Sequence, residues 1–266
     1  MGVTLLLTDA VTTLANAPLV EVLTEIRWGM RNSSDEGEVS FEHSDDELQT
    51  LHDHFSRALF ADGFVLELST EHESEPFRPA YTFRRAADTW PVYQIGIGTL
   101  CINQGNEGYD WPQYKTDILY GLQQLERALT HVYREIPFIG AEMVYADAFF
   151  LGEDETFESF LLNKLRIKVH VPDQFWEAPF LTREPWSADF RVFCKLADPE
   201  GALTINVDTS DDMMGRRGVL MTTSVLSIGA PFGADQDLSP WLESAHHVQQ
   251  HAFRTLIQPA FRRSFA

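Results

Sequence analysis

The chain is short of the residues that most often announce a function. It has two cysteines, Cys101 and Cys194, among 266 residues. Two thiols cannot make a zinc quartet. Both lie in apolar, strand-like runs, so buried free thiols are expected rather than a disulfide. Cations are scarce: 20 Lys+Arg stand against 40 Asp+Glu, a formal net charge of −20. Such a surface repels polyanions, so neither nucleic acid nor an anionic membrane is expected as a partner. No apolar run approaches the ~20 residues needed to cross a bilayer. The opening "MGVTLLLTDAVTTLANAP" is a short apolar run followed by "ANA", yet it lacks a basic flank and Asp9 interrupts it, which misfits a secretory leader. Leu6 misfits a myristoylation signal. The expectation is a cytoplasmic protein.

Catalytic motifs are missing too. There is no P-loop lysine, no Gly-x-Ser-x-Gly elbow and no His-Glu-x-x-His pattern, and these are the local arrangements that phosphate binding, acyl transfer and zinc hydrolysis use. "GIGTLCINQG" begins as Gly-x-Gly, but Cys101 stands where a third glycine belongs and no helix follows directly. It reads instead as a tight hairpin. Pairs of carboxylates can always be drawn among 40 acids, so they do not point to acid–base chemistry.

What is present is a core. Hydrophobic residues make up 44% and aromatic residues 12% of the chain, enough for a packed interior. "NAPLVEVLTEIRW" alternates: Val20, Val22, Thr24, Ile26 and Trp28 point one way, and Glu21, Leu23, Glu25 and Arg27 the other. Period two predicts a strand with one buried face. Glu25 and Arg27 are then expected to pair along a solvated outer face. A helix follows from Ser44, with a stripe of Leu48, Leu51, Phe55 and Leu59. After a charged loop come strands at Tyr81–Ala86, Val92–Ile97 and Leu100–Gln104. A long helix is expected over Trp111–Tyr133, capped by Asp110 with Gln113 at capping-box spacing.

The order then starts again. A strand at Ile139–Phe149 precedes a short helix at Thr156–Leu165. Strands are expected at Ile167–Val171, Ala188–Leu196, Leu203–Asp208 and Val219–Ile228. A last helix, Pro240–Gln258, has Ser239 as its expected cap. The fold class is therefore α+β: a large, mostly antiparallel sheet with long helices packed on one face, built from a duplicated strand-helix-strands-helix unit. The halves are 1–136 and 137–266, joined as one continuous structural unit.

Several residues are candidates for chemistry, each with a plainer reading beside it. His246 lies on the apolar stripe of the last helix, so it either docks that helix through a hydrogen bond or lines a pocket. His247 and His251 share a face but lack an acidic companion motif, and a solvated helix face is the plainer reading. Arg216 and Arg217, in "GRRG", either contact an anion or acidic segment or neutralise the preceding aspartates at a turn. The acidic loops "SSDEGE", "EHESE", "GEDET" and "DTSDD" are solvent-facing, and together they offer a basic protein partner a complementary surface.

The segments "NAPLVEVLTEIRW", "VYQIGIGTLCINQGNEGYDWPQYKTDIL", "GAEMVYADAF" and "WLESAHHVQQHAF" occur in that order. That pattern resembles the TIGR04255 family of sporadically distributed bacterial proteins over nearly the whole chain. "GAEMVYADAF" departs from the family's form, with Met143 and Val144 where Leu-Arg is usual. The resemblance carries over no activity. It implies an accessory role, of a defence or toxin–antitoxin type, and gives Glu21, Glu25 and Arg27 a share in the family's strand motif; if helices cover that face, Glu25 and Arg27 form a buried ion pair that points to register or a binding groove.

The expectation is a non-enzymatic, acidic protein-interaction component. The alternative is a small-ligand-binding or sensor domain, with a pocket between sheet and long helices near Glu25, Arg27, Trp111 and His246. No cofactor and no metal are expected, a protein partner is, and a homo-oligomer is left open.

Overall fold

The alternation at the start of the chain forms strand β1, Leu19–Trp28, which lies in the interior of the sheet between two long strands. The structure is a computed structural model and describes residues 18–31, 39–40, 45–69, 76–133, 138–169, 172–181, 189–211, 216–229 and 237–265. After β1 come a small pair, β2 (Met30–Arg31) and β3 (Val39–Ser40), and helix α1 (Asp45–Ala61). Strands β4 (Val65–Ser69), β5 (Pro79–Arg84), β6 (Val92–Gly96) and β7 (Thr99–Gly105) lead to helix α2 (Trp111–Leu129). Then follow β8 (Phe138–Phe150), α3 (Phe157–Asn163), α4 (Asp173–Trp176), β9 (Asp189–Ala197), β10 (Glu200–Asp211) and β11 (Arg217–Ser227). Helix α5 (Ser239–Leu256) and the single turn α6 (Pro259–Arg262) close the chain. Nine strands make one sheet in the order β4-β5-β6-β7-β1-β8-β11-β10-β9. Every pairing in it is antiparallel. The class is α+β.

Local chemistry explains where the elements begin and turn. The Asp110 carboxylate accepts a hydrogen bond from the Gln113 N–H at 3.2 Å, and Pro112 occupies the first turn of α2. Such a cap contributes about 1 kcal/mol. Thr156 caps α3 in the same way, accepting from the Ser159 N–H. "GIGTL" is the expected hairpin: Gly96 pairs with Thr99, and Gly98 takes the positive φ of 74° that the two-residue turn needs. Strand, turn, strand leaves no helix N-terminus there for a phosphate.

One large core cluster joins Val22, Ile26 and Trp28 of β1 to Phe55 and Leu59 of α1, Ile118 and Leu125 of α2, and Leu242 of α5. A second joins Phe149, Ile205, Val207 and Val219 of the sheet to Phe157 and Phe160 of α3 and Ala252 of α5. The strand residues in both clusters share one side of the sheet, the core face. Their neighbours in sequence point to the reverse face, where Leu23, Cys101 and Val144 form a small apolar island.

Several expectations are corrected. Glu21 and Glu25 are not solvated: they are 1% and 4% exposed. Period two separates the two faces of the sheet, but it does not report whether a face is open to water. Cys194 is exposed, not buried, because β9 ends the sheet. Helix α2 stops at Leu129 and α5 at Leu256. Gln258 precedes Pro259 and is extended at ψ 134°, the conformation that a following proline favours. Ser239 is not the cap of α5; its N–H is taken by the Asp237 carboxylate at 2.9 Å. Residues 167–169 form no strand, and the Ile167 N–H bonds back to the Leu161 carbonyl. Strand β4 lies where the sequence suggested only a connection. The Ser44 cap, "SSDEGE", "EHESE", Gly215 and residues 1–17 lie outside the described residues.

Candidate functional site

The candidate residues divide between the two faces of the sheet. On the reverse face, register sets Glu25 of β1 directly opposite Glu142 of β8. Arg27 donates to both, to Glu25 at 2.5 Å and to Glu142 at 3.4 Å. The Thr99 hydroxyl donates to the other Glu25 oxygen at 2.8 Å, and the Ser224 hydroxyl donates to Glu142 at 2.5 Å. Next to this set, the Asn103 amide donates to Glu21 at 2.5 Å. Burial alone would lower the Arg27 pKa, but the hydrogen bond and charge of Glu25, aided by Glu142, hold it raised. Burial raises the Glu142 carboxyl against the pull of Ser224 and Arg27. Burial and the neighbouring Glu25 also raise the Cys101 thiol well above its usual value. The Arg27 guanidinium stacks 5.8 Å from the Phe77 ring centre. Both Glu25 oxygens and both Glu142 oxygens accept within this network, while the buried Arg27 Nε finds no acceptor among the described residues.

On the core face, Trp111 and His246 meet. They come from the first turn of α2 and the middle of α5, and their rings stack with centroids 4.0 Å apart and planes 6° from parallel. The Trp111 indole N–H donates to Glu243 at 3.1 Å, and Lys115 pairs with the same carboxylate at 2.7 Å. His246 Nδ1 lies 2.8 Å from the Tyr145 hydroxyl, and Nε2 lies 2.7 Å from the Gln250 amide nitrogen. An amide nitrogen can only donate, so Nε2 accepts and the ring proton sits on Nδ1, donated to Tyr145. Tyr145 in turn shares a 2.5 Å hydrogen bond with Tyr109. Burial pulls the His246 pKa down to about 4, and the donor at Gln250 opposes a second ring proton. Burial raises Tyr109 to about 12 and Tyr145 further still. Two residues along β8 from Tyr145, Asp147 is 5% exposed and burial raises its carboxyl to about 7. Gln249 fixes α5 to the sheet by donating to the carbonyls of Met143 and Thr223.

Glu25 and Arg27 therefore do not share a pocket with Trp111 and His246; the sheet separates the two pairs. Arg217 opens β11 opposite Asp211, and the Arg216 guanidinium lies 4.2 Å from the Phe150 ring centre. That arrangement sets the two arginines at the base of the β10–β11 pair. His52 contacts Ser56 and lies tilted against the Tyr81 ring, and His54 stacks on His131. Among the described residues no group of His, Cys, Asp and Glu is arranged to hold a metal ion.

The open feature lies on the far side of α5. A groove of about 560 Å³ runs between that helix and strands β9 and β10. Leu196, Leu203, Ile205, Val248, Ala252 and Leu256 floor it, and Asp198, His247 and His251 stand among its lining residues. Sequence reasoning placed His247 and His251 on a solvated helix face and gave the groove no residue. Among the described residues no element covers it, and no periodicity reports that.

No described helix is long and apolar enough to cross a membrane. No family model matches this chain, and neither a curated protein nor a solved structure matches it.

Proposed function

We propose that the chain works by binding a protein partner through the groove between α5 and β9–β10, as the interaction component of a bacterial accessory system. One observation carries this reading. The polar candidates elsewhere are engaged with one another, whereas the groove leaves Leu203, Val248 and Leu256 partly uncovered. The net charge of −20 and Asp198 in the lining favour a partner segment with apolar side chains and basic flanks.

The fold supports a reason for the opening. We read β1-α1-β5-β6-β7-α2 and β8-α3-β9-β10-β11-α5 as two copies of one unit, divided near residue 137, with the long helices on the core face. The strand order supports this, since it runs outward in the same sequence from the central β1–β8 pair on each side. In the first copy, α1 has 17 residues and joins the main core beside α2. In the second, α3 has 7 residues and covers only one end of the outer strands. The groove is the space that a longer helix would fill.

A groove of this size also suits a small apolar ligand, since such sites span roughly 300–1,000 Å³. Native mass spectrometry of the untagged protein, released gently from its own cells at low salt, separates the two readings when paired with Val248→Glu. The expected result is a second polypeptide at fixed stoichiometry on the wild type, lost at high salt and absent from the variant. A small added mass that disappears on denaturation and is absent from the variant supports the ligand instead. Neither species, with both proteins folded, overturns both readings.

A further inference from the structure

We propose that β9 is a self-association edge, through which two copies of this chain pair antiparallel in a register centred on Val192. The proposal rests on the edge itself and not on what occupies the groove.

Strand β9 ends the nine-stranded sheet, and among the described residues no strand pairs with its outer side. It is nine residues long, "DFRVFCKLA". Natural sheets protect such edges with brevity, proline, a bulge or charged side chains. This edge has none of the first three, its pairing with β10 is regular from Asp189 to Ala197, and its charges, Asp189, Arg191 and Lys195, are ones that a second copy can pair. Phe193 is 70% exposed, and Cys194 beside it is also exposed. A bare edge with a large exposed ring suits strand addition.

The strand's own sequence selects the partner. Opposed residues in an antiparallel pair share a face, so a two-fold axis normal to the sheet must pass through a residue. With the axis at Val192, Asp189 meets Lys195 of the second copy, and Arg191 meets its Phe193. Both pairs recur by symmetry on the reverse face, one an ion pair and the other a cation over an aromatic ring. On the core face Phe190 meets Cys194, and Val192 meets Val192. A register centred on Cys194 opposes no like charges but forms no ion pair, and the other registers fail on charge. An axis at Phe193 sets Arg191 against Lys195, an axis at Arg191 sets two guanidiniums together, and an axis at Lys195 sets two ammoniums together. Like charges directly opposite are destabilising. Each copy carries −20 overall, so long-range charge opposes the dimer, and the local complementarity of β9 must overcome it. Leu196 of β9 lines the groove, so the dimer brings two grooves to either side of its axis.

A charge swap tests the register. Sedimentation equilibrium of the full chain is compared for wild type, Asp189→Lys, Lys195→Asp and the double variant. All substituted side chains are exposed, and thermal melts check that each variant folds. The wild type should be a dimer. Each single variant should raise the dissociation constant at least about tenfold, because both symmetric ion pairs become like-charge pairs. The double variant should restore dimerisation by exchanging the charges. A monomeric wild type overturns the proposal. A dimer that persists in both single variants assigns the contact to another surface, and folded singles without rescue in the double variant reject this register.

Discussion

The imidazole of His246 lies flat against the indole of Trp111, with ring centroids 4.0 Å apart. This contact fastens the start of α2 to the middle of α5 over β8, and it requires an uncharged ring on Nε2, where Gln250 donates.

Two proton equilibria of opposite sign act at this docking point. Burial lowers His246 from 6.5 to about 4. Its contribution to stability is full above pH 6.5 and is lost as pH falls towards 4, because the unfolded chain binds the proton more tightly. Burial raises Asp147 from 3.8 to about 7. Its contribution is full below pH 3.8 and is lost as pH rises to 7, with a limiting slope of about 1.4 kcal/mol per pH unit. The two partly cancel between pH 4 and 6.5. Asp147→Asn should therefore raise Tm at pH 8 and make the loss of stability towards pH 4 steeper than in the wild type. His246→Gln should leave a protein that melts lower at pH 7 than at pH 5. Thermal melts from pH 4 to 8 check both signs, and parallel pH profiles for wild type and variants would contradict the assignment.

The Glu25–Glu142 opposition makes Arg27 the residue whose loss costs most on the reverse face. Removing it leaves the buried Glu25 directly across from the part-buried Glu142. Breaking a fully buried ion pair this way costs about 3–5 kcal/mol, and the cost here is smaller because the Arg27 and Glu142 side chains are 25% and 15% exposed. Arg27→Met should lower Tm sharply at pH 7 and recover part of the loss at pH 5, as one glutamate takes a proton. Arg27→Met combined with Glu25→Gln and Glu142→Gln should recover more of it at pH 7. Denaturant unfolding of the three proteins measures the coupling, and equal stabilities for the single and triple variants would rule out the charge explanation.

How much of this was legible depended on whether a feature is local. The alternation of β1 separated Val22 and Ile26 from Glu25 and Arg27 correctly, because side-chain direction in a strand is set by the pleat. It could not report that β7 and β8 flank the strand, which sets Thr99 and Glu142 beside Glu25. Asp110, Pro112 and Gln113 marked the start of α2 because capping is local chemistry. The partner of His246 was not legible, since Tyr145 reaches it only through the crossing of α5 over β8. Strand β4 was missed because five residues with Leu66 and Leu68 on one parity and Val65 on the other carry a weak period. The edge position of β9 depends on the strand order of the whole sheet, and no segment of the sequence encodes that alone.

Gly121 lets helix α2 sit close against the sheet. A Cβ built there would stand 2.7 Å from the Tyr93 ring, inside any tolerable contact. Tyr93 is fully buried, and its hydroxyl donates to the Asp117 carbonyl of the same helix at 3.0 Å, so the ring cannot easily withdraw. Gly121→Ala gains helix propensity of about 1 kcal/mol, yet overpacking costs about 1–3 kcal/mol. The net effect should be a lower Tm. Adding Tyr93→Phe frees the ring to shift and should return part of the loss. An alanine variant more stable than the wild type would mean that the helix stands further from the sheet.

The two cysteines should differ sharply in reactivity, and the difference reports on β9. Cys101 is buried, with its thiol held protonated by burial and by the nearby Glu25 carboxylate. Cys194 is exposed on the terminal strand. Thiolates are the reacting species, so access and protonation both protect Cys101. A thiol-reactive chromophore should modify one cysteine quickly in the native protein and the second only after denaturation, and peptide mapping should place the first at Cys194. If β9 pairs with a second copy, Cys194 faces the partner's Phe190. Its rate should then rise as the protein is diluted below the dissociation constant, and Lys195→Asp should react at the fast, dilute rate at every concentration. A rate independent of concentration in the wild type, with Cys194 still the modified residue, would keep the exposure of β9 and reject its self-pairing.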